Sequence, residues 1–232
     1  MTIMSTKKAA TKQRKHYKTT ISLYGDACVG KTQFLNRFNE DSFTDKYEQT
    51  FCKTFPFFLI QHSLLLGSNS QSRNLHFDNQ TLSMLLADTC GSQKLTPNFY
   101  KDSKNEDGAL VLFSIDRPES FQKVQEYLAS LKTIKNHQTP IVLVGTKCDL
   151  RSSGTNRGEY ERIISYDEAE AFARSYGLDY IETSAKEGTN VTKAFEMIAR
   201  KIIKAQDAKE KESQETPTIT TKTSSESSCS IF

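Results

Sequence analysis

The 232-residue chain contains no tryptophan and no run of 18 apolar residues. The nearest approach, Phe51 to Leu66, is interrupted by Lys53, Gln61, His62 and Ser63, so no membrane-spanning helix is expected. The start is basic but leads into no apolar stretch, which excludes the pattern of a secretory signal. Thr2 excludes N-myristoylation. Cysteine is sparse and scattered: Cys28, Cys52, Cys90, Cys148 and Cys229 stand singly, with no CxxC pair. That spacing argues against a zinc site or a disulfide framework and fits reduced thiols in the cytosol. A net charge of only +3 gives no overall case for nucleic-acid binding. With 36% hydrophobic and 25% charged residues, polar tails and loops are expected to dilute one core.

The chain does carry a phosphate-binding loop. Gly25-Asp26-Ala27-Cys28-Val29-Gly30-Lys31-Thr32 fits G-x-x-x-x-G-K-[ST]. Glycines let the backbone curl so that successive N–H groups point at phosphate oxygens, and the following helix adds the positive end of its dipole. Lys31 is placed to reach the β- and γ-phosphates, and the Thr32 hydroxyl to ligate Mg²⁺. The flanks fit: Tyr17 to Tyr24 reads as a strand, and Phe34, Leu35 and Phe38 fall at helical spacing.

Residues 1–16 hold Lys7, Lys8, Lys12, Arg14 and Lys15 without an acid and are expected to form a disordered basic arm. After the loop helix comes a polar connection, 41–50, and then the apolar run 51–66, in which Pro56 implies an edge strand. Residues 67–80 are rich in turn formers and are expected to cap a long hairpin whose second strand is Thr81 to Ala87. That strand ends in Asp88-Thr-Cys-Gly91. An aspartate closing a buried strand is suited to holding the Mg²⁺ shell, and Gly91 to bringing a backbone N–H near the γ-phosphate. Strands at 109–115, 141–144 and 180–183 then alternate with helical faces: Phe121 to Ile134, a short helix with the Ser165/Glu168 capping box closed by Gly177, and Val191 to Ile203. A polar stretch at 151–163 reads as a loop insertion. Such alternation predicts an α/β fold, a mainly parallel sheet covered by helices on both faces, with ligands at the carboxyl ends of the strands.

Five pieces in order, the P-loop, Thr50, Asp88-Thr-Cys-Gly91, Thr146-Lys-Cys-Asp149 and Glu182-Thr-Ser-Ala-Lys186, together resemble a small GTPase of the Ras superfamily over roughly residues 17–205. The resemblance implies the three-layer P-loop NTPase fold with one antiparallel edge strand. It implies GTP/GDP and Mg²⁺ as ligands. Asp149 is then the acceptor for the guanine ring N–H and 2-amino group, and Thr146 and Lys147 complete that motif. Ser184, Ala185 and Lys186 line the base pocket, and Phe43 packs against the base. Thr50 is the switch I threonine that reaches Mg²⁺ only when the γ-phosphate is present, beside the metal residues Thr32 and Asp88. Gly25, Ala27, Cys28, Val29, Gly30, Lys31, Thr32 and Gly91 surround the phosphates.

Some features depart from the family pattern. Ser92 stands where the family has the glutamine that orients the attacking water, with Gln93 one place later, so slow hydrolysis is expected. Ala27 replaces a glycine of typical Ras proteins, and the hairpin between Thr50 and Asp88 is longer than usual. Features of Ras, Rho and Rab are mixed. Residues 206–232 are Ser/Thr-rich, carry a net charge of −2 and are expected to be a disordered tail. They end in Cys229-Ser-Ile-Phe232, a C-a-a-X pattern that marks Cys229 for prenylation. The expected protein is a monomeric, cytoplasmic nucleotide switch, reversibly attached to a membrane through Cys229 and working with effectors, exchange factors and GTPase activators. A hydrolysis-deficient GTP-bound adaptor is the alternative. An ATP-using kinase is opposed by Asp149 and the 184–186 segment.

Overall fold

The computed structural model describes residues 15–45, 70–77, 80–89, 91, 106–134, 139–151 and 163–215. In chain order these form β1 (Lys15–Gly25), α1 (Lys31–Glu40), β2 (Ser70–Phe77), β3 (Gln80–Asp88), β4 (Gly108–Ser114), α2 (Pro118–Gln122), α3 (Val124–Ile134), β5 (Ile141–Thr146), α4 (Tyr166–Ser175), β6 (Asp179–Glu182) and α5 (Val191–Glu215). The six strands make one sheet in the order β2-β3-β1-β4-β5-β6. All neighbouring pairs are parallel except β2 with β3. This is the expected three-layer α/β architecture.

The period-2 alternation of the strands sorts side chains to the two faces. Leu110 and Leu112 of β4 join Ile21, Leu23, Leu82, Leu86, Phe34, Phe38 and Phe195 in a core beneath α1 and α5. Ala109, Val111 and Phe113 join Tyr24, Leu143, Val124, Leu128 and Ala173 in a second core beneath α3 and α4. Phe195 of α5 stacks on Phe38 of α1 with ring centroids 3.8 Å apart, which fixes the helix that carries Lys31 and Thr32. Burying aromatic faces of this size contributes roughly 2–3 kcal/mol each. Ser165 caps α4, since the Glu168 N–H donates to its hydroxyl at 3.1 Å, which is the serine half of the expected capping box.

Three expectations need correction. Residues 70–77, read as part of a turn, are strand β2, paired antiparallel with β3 and closing with Phe77 opposite Gln80. Its polar sequence is what an exposed edge strand carries. Among the described residues only one side of β2 is paired, Leu75 is its buried anchor, and Arg73 covers the Phe38 ring at 4.4 Å. The apolar run 51–66 lies outside the described residues. Secondly, the basic arm does not extend to residue 16, because Lys15 and His16 already belong to β1. Thirdly, the tail does not begin at 206: α5 continues to Glu215. Asp207 accepts hydrogen bonds from Tyr17 Oη at 2.9 Å and Lys15 Nζ at 3.0 Å, so the start of β1 holds that extension of the helix. Those bonds keep the Asp207 carboxyl below its ordinary range.

Candidate functional site

Every described site residue except Phe43 lies at or just beyond the carboxyl end of a strand or at the start of α1. β1 runs into the P-loop through Gly25, whose φ of 151° favours glycine and whose added Cβ would lie 2.3 Å from the Leu112 carbonyl oxygen. The close packing of β4 against β1 therefore excludes any side chain at that point. Cys28 and Gly30 are also left-handed, with φ of 61° and 91°. A side chain held there costs about 1–3 kcal/mol and persists because the surrounding fold demands the curl. Helix α1 then starts with no side-chain cap and no acid in its first turn. Its first N–H groups and the positive end of its dipole are thus left for an anion. Lys31 is 6% exposed, and its ammonium donates to the carbonyls of Gly25 at 2.9 Å and Asp26 at 2.8 Å, folded back across the loop it serves.

Thr32 Oγ1 donates to Asp88 Oδ2 at 2.5 Å, joining the first turn of α1 to the end of β3. The pair offers two hard oxygens of the kind that Mg²⁺ selects. Among the described residues no group of three His, Cys, Asp or Glu side chains is arranged to hold a metal ion. A cation here would thus rest on Thr32, Asp88 and oxygens supplied by a ligand, which suits Mg²⁺ with its preference for phosphates and water. Gly91 lies against the P-loop, where an added Cβ would come within 2.4 Å of Ala27 N and the Asp26 carbonyl oxygen. Only glycine permits that approach.

The base side is assembled from β5, β6 and the loops after them. Thr146 is 4% exposed, and its hydroxyl lies 2.6 Å from Val29 O and 3.0 Å from Phe113 O. Lys147 adopts φ 62° and its ammonium lies 3.4 Å from the Asp116 carboxylate, which in turn accepts from Ser114. Ser184 is fully buried and its hydroxyl donates to Asp149 Oδ1 at 2.6 Å, while the Glu187 N–H donates to Ser184 Oγ at 3.1 Å. The carboxylate expected to read the base is therefore oriented by the loop expected to line its pocket. Burial, with the Glu182 and Asp149 carboxylates nearby, pushes the Cys148 thiol up to about 11. It stays protonated at neutral pH.

Four positioning contacts were not anticipated from the sequence. Arg37 of α1 donates to the carbonyls of Ala185 and Lys186. Thr146 fastens the base motif to the P-loop as well as belonging to that motif. Asp26 pairs with Lys123 at 2.9 Å, and Arg117 Nη1 donates to the Ala27 carbonyl at 2.7 Å. The Asp26–Lys123 pair had a readable signal: a carboxylate inside an anion-binding loop calls for a cation beside it. Arg151 Nη2 donates to Ile164 O and to Glu182, each at 2.5 Å, and so spans the two ends of the polar insertion. Phe43 is half-buried, just beyond the end of α1. Thr50, Ser92, Gln93 and Cys229, and residues 152–162 of the insertion, lie outside the described residues.

Comparison with known proteins agrees with this geometry. The sequence model of the Ras family matches residues 20–204. The chain is 30% identical over 189 residues to the Ras-related protein RIC1 of Oryza sativa subsp. japonica, covering 80% of this chain and 81% of that protein. It is 29% identical over 205 residues to the Ras-related protein Rab-3 of Caenorhabditis elegans, covering 87% and 82%. It is 29% identical over 198 residues to the Ras-related protein Rab-21 of Bos taurus, covering 84% and 78%. A phosphate loop and a base motif locked together at the carboxyl edge of this sheet, with a family match over most of the chain, place the protein in the Ras family of small GTPases.

Proposed function

We propose that the protein is a guanine-nucleotide switch that binds GTP and GDP with Mg²⁺ and signals through its two switch segments. The observation that supports this reading is the Ser184–Asp149 contact at 2.6 Å, which holds the Asp149 carboxylate beside the 184–186 loop. Guanine presents a ring N–H and a 2-amino group to such an acceptor, whereas adenine would leave the carboxylate desolvated and unpaired. Lys31 and the uncapped end of α1 take the phosphates, Thr32 and Asp88 hold the metal, and Gly91 approaches the γ-phosphate. With GTP bound, Thr50 and Gly91 close on the γ-phosphate and Mg²⁺, and hydrolysis releases them, so that effectors recognise only the GTP form.

Hydrolysis is slow in this reading, because Ser92 is too short to hold both a water and a phosphate oxygen. Exchange factors and GTPase activators act on the same segments. Cys229 carries a prenyl group that attaches a monomeric, cytoplasmic protein reversibly to the cytosolic face of a membrane, with no second lipid chain near it. The absence of glutamine at position 92 favours one second reading, a GTP-bound adaptor in which turnover is vestigial. Chromatography of nucleotide released from the denatured protein tests the main reading: GDP and GTP are expected, and ATP or ADP alone would refute it. Single-turnover hydrolysis then separates switch from adaptor.

A further inference from the structure

Helix α1 does more than begin at the phosphates. Near its other end, Arg37 extends one guanidinium toward two segments remote in sequence. Its Nε donates to the Ala185 carbonyl at 2.6 Å and its Nη2 to the Lys186 carbonyl at 3.0 Å. Its Nη1 donates to the Asp41 carbonyl at 2.9 Å and to Asp41 Oδ1 at 3.0 Å. Asp41 is the left-handed residue that ends α1 and starts the segment leading to Phe43. One turn back on the same helix, Gln33 Oε1 accepts from the Thr44 N–H at 3.1 Å. Phe43 is thus bracketed on both sides by ties to α1. The loop at 184–189 is closed on itself by the Ser184–Thr189 bridge, and Gly188 packs 3.9 Å from Arg37 Cδ if given a Cβ.

The geometry points to Arg37 as the latch of the base pocket, a positioning residue that sets how long a guanine nucleotide stays bound. This rests on the guanine reading above and extends it. The planar fork is what the task needs: three nitrogens in fixed directions serve two carbonyls on one side and Asp41 on the other, which a lysine ammonium on a flexible stem cannot reproduce. The Arg37 side chain is 18% exposed and its bond to the Ala185 carbonyl is partly buried, so that bond carries most of the energy. The bonds to the Lys186 carbonyl and to Asp41, whose carboxylate is 91% exposed, face solvent and contribute orientation more than energy. Through this fork the path from Asp41 to Asp149 is continuous: Asp41, Arg37, the Ala185 and Lys186 carbonyls, Ser184, Asp149. A pull on the segment after α1, where Phe43 begins the first switch, therefore loosens the base loop at the same time. Nucleotide release and movement of switch I share one joint.

The test is the dissociation of fluorescent GDP from the full-length protein, with guanosine and inosine diphosphates compared as competitors. Inosine lacks the 2-amino group and depends less on Asp149. Arg37→Ala should speed GDP release by roughly tenfold or more, the scale of losing hydrogen bonds from a charged donor. It should also narrow the preference for guanosine over inosine. Arg37→Lys should restore only part of both effects, and Asp41→Ala should speed release by a smaller factor. Circular dichroism and nucleotide content on purification show whether each variant folds. Wild-type release rates in Arg37→Ala, or faster release with the guanosine preference unchanged, would overturn the latch. Failure of the wild-type protein to bind either nucleotide would instead sink the guanine reading itself.

Discussion

The Thr146 hydroxyl lies 2.6 Å from the Val29 carbonyl oxygen, so the end of β5 that leads to the base motif is fastened to the floor of the phosphate loop. A hydroxyl has one hydrogen, and the Phe113 carbonyl at 3.0 Å competes for it, but the shorter contact is the one that crosses between motifs. Thr146→Val keeps the shape and removes the donor. Val29 O then loses this partner in a dry site, which costs about 1–3 kcal/mol. Chemical denaturation should show that loss, and titration with fluorescent GDP should show weaker binding. A variant with wild-type stability and affinity would mean that the contact is incidental.

Thr32 and Asp88 are the two described residues assigned to Mg²⁺. Thr32→Asn replaces a hydroxyl with a bulkier amide, a poorer ligand in a site that demands near-octahedral order. GTP affinity should fall more than GDP affinity, because a Mg²⁺ ion held by Thr32 and Asp88 would have the extra charge of the γ-phosphate to neutralise in GTP. Titrations with both nucleotides at several Mg²⁺ concentrations check this, and equal losses for the two would remove Thr32 from the metal shell.

In the proposed switch, hydrolysis depends on residues 92 and 93. Ser92→Gln should raise single-turnover GTP hydrolysis while leaving nucleotide affinity nearly unchanged. The larger gain should appear with an activator, since an arginine finger supplies ~10³–10⁵-fold and works together with that glutamine. Gln93→Ala is the companion variant. If it slows turnover strongly and Ser92→Gln does nothing, Gln93 positions the water and the slow-switch account is wrong.

The Cys148 thiol gives a pH dependence of known sign. In the unfolded chain it ionises near its ordinary value of 9.0, while burial in the fold raises it to about 11. Below that window both states hold the proton and the contribution to stability is intact. As pH rises from about 9 toward 11 the unfolded state alone releases the proton, so stability falls. Tyr180, which burial and Glu182 also keep protonated, acts in the same direction. Cys148→Ala should flatten part of the decline measured by denaturant unfolding across this range. An identical slope in the variant would assign the whole decline to other groups.

The site was legible wherever a motif has a local mechanical cause. Gly25, Lys31 and Thr32 form a loop and helix start by backbone rules alone, and Asp88 and Asp149 follow strands whose apolar runs are easily read. The edge strand was not legible, because Ser70 to Asn74 are polar for the same reason that turns are polar, exposure to water. The ten further residues of α5 were missed because their hold on the fold is a pair of bonds from Tyr17 and Lys15 to Asp207, partners about 190 positions away. Arg37 escaped for the same reason: its acceptors Ala185 and Lys186 are backbone carbonyls, and carbonyls leave no trace in a sequence.

The central claim is that Asp149, oriented by Ser184, reads guanine. Asp149→Asn tests it most directly, because an amide presents a donor where xanthine offers a carbonyl and guanine offers an amino group. Competition binding should measure GDP against xanthosine diphosphate on the wild-type and variant proteins under the same conditions. The account predicts that the variant loses GDP affinity and gains affinity for the xanthosine nucleotide, reversing the preference. A variant that still prefers GDP by the wild-type margin would contradict it.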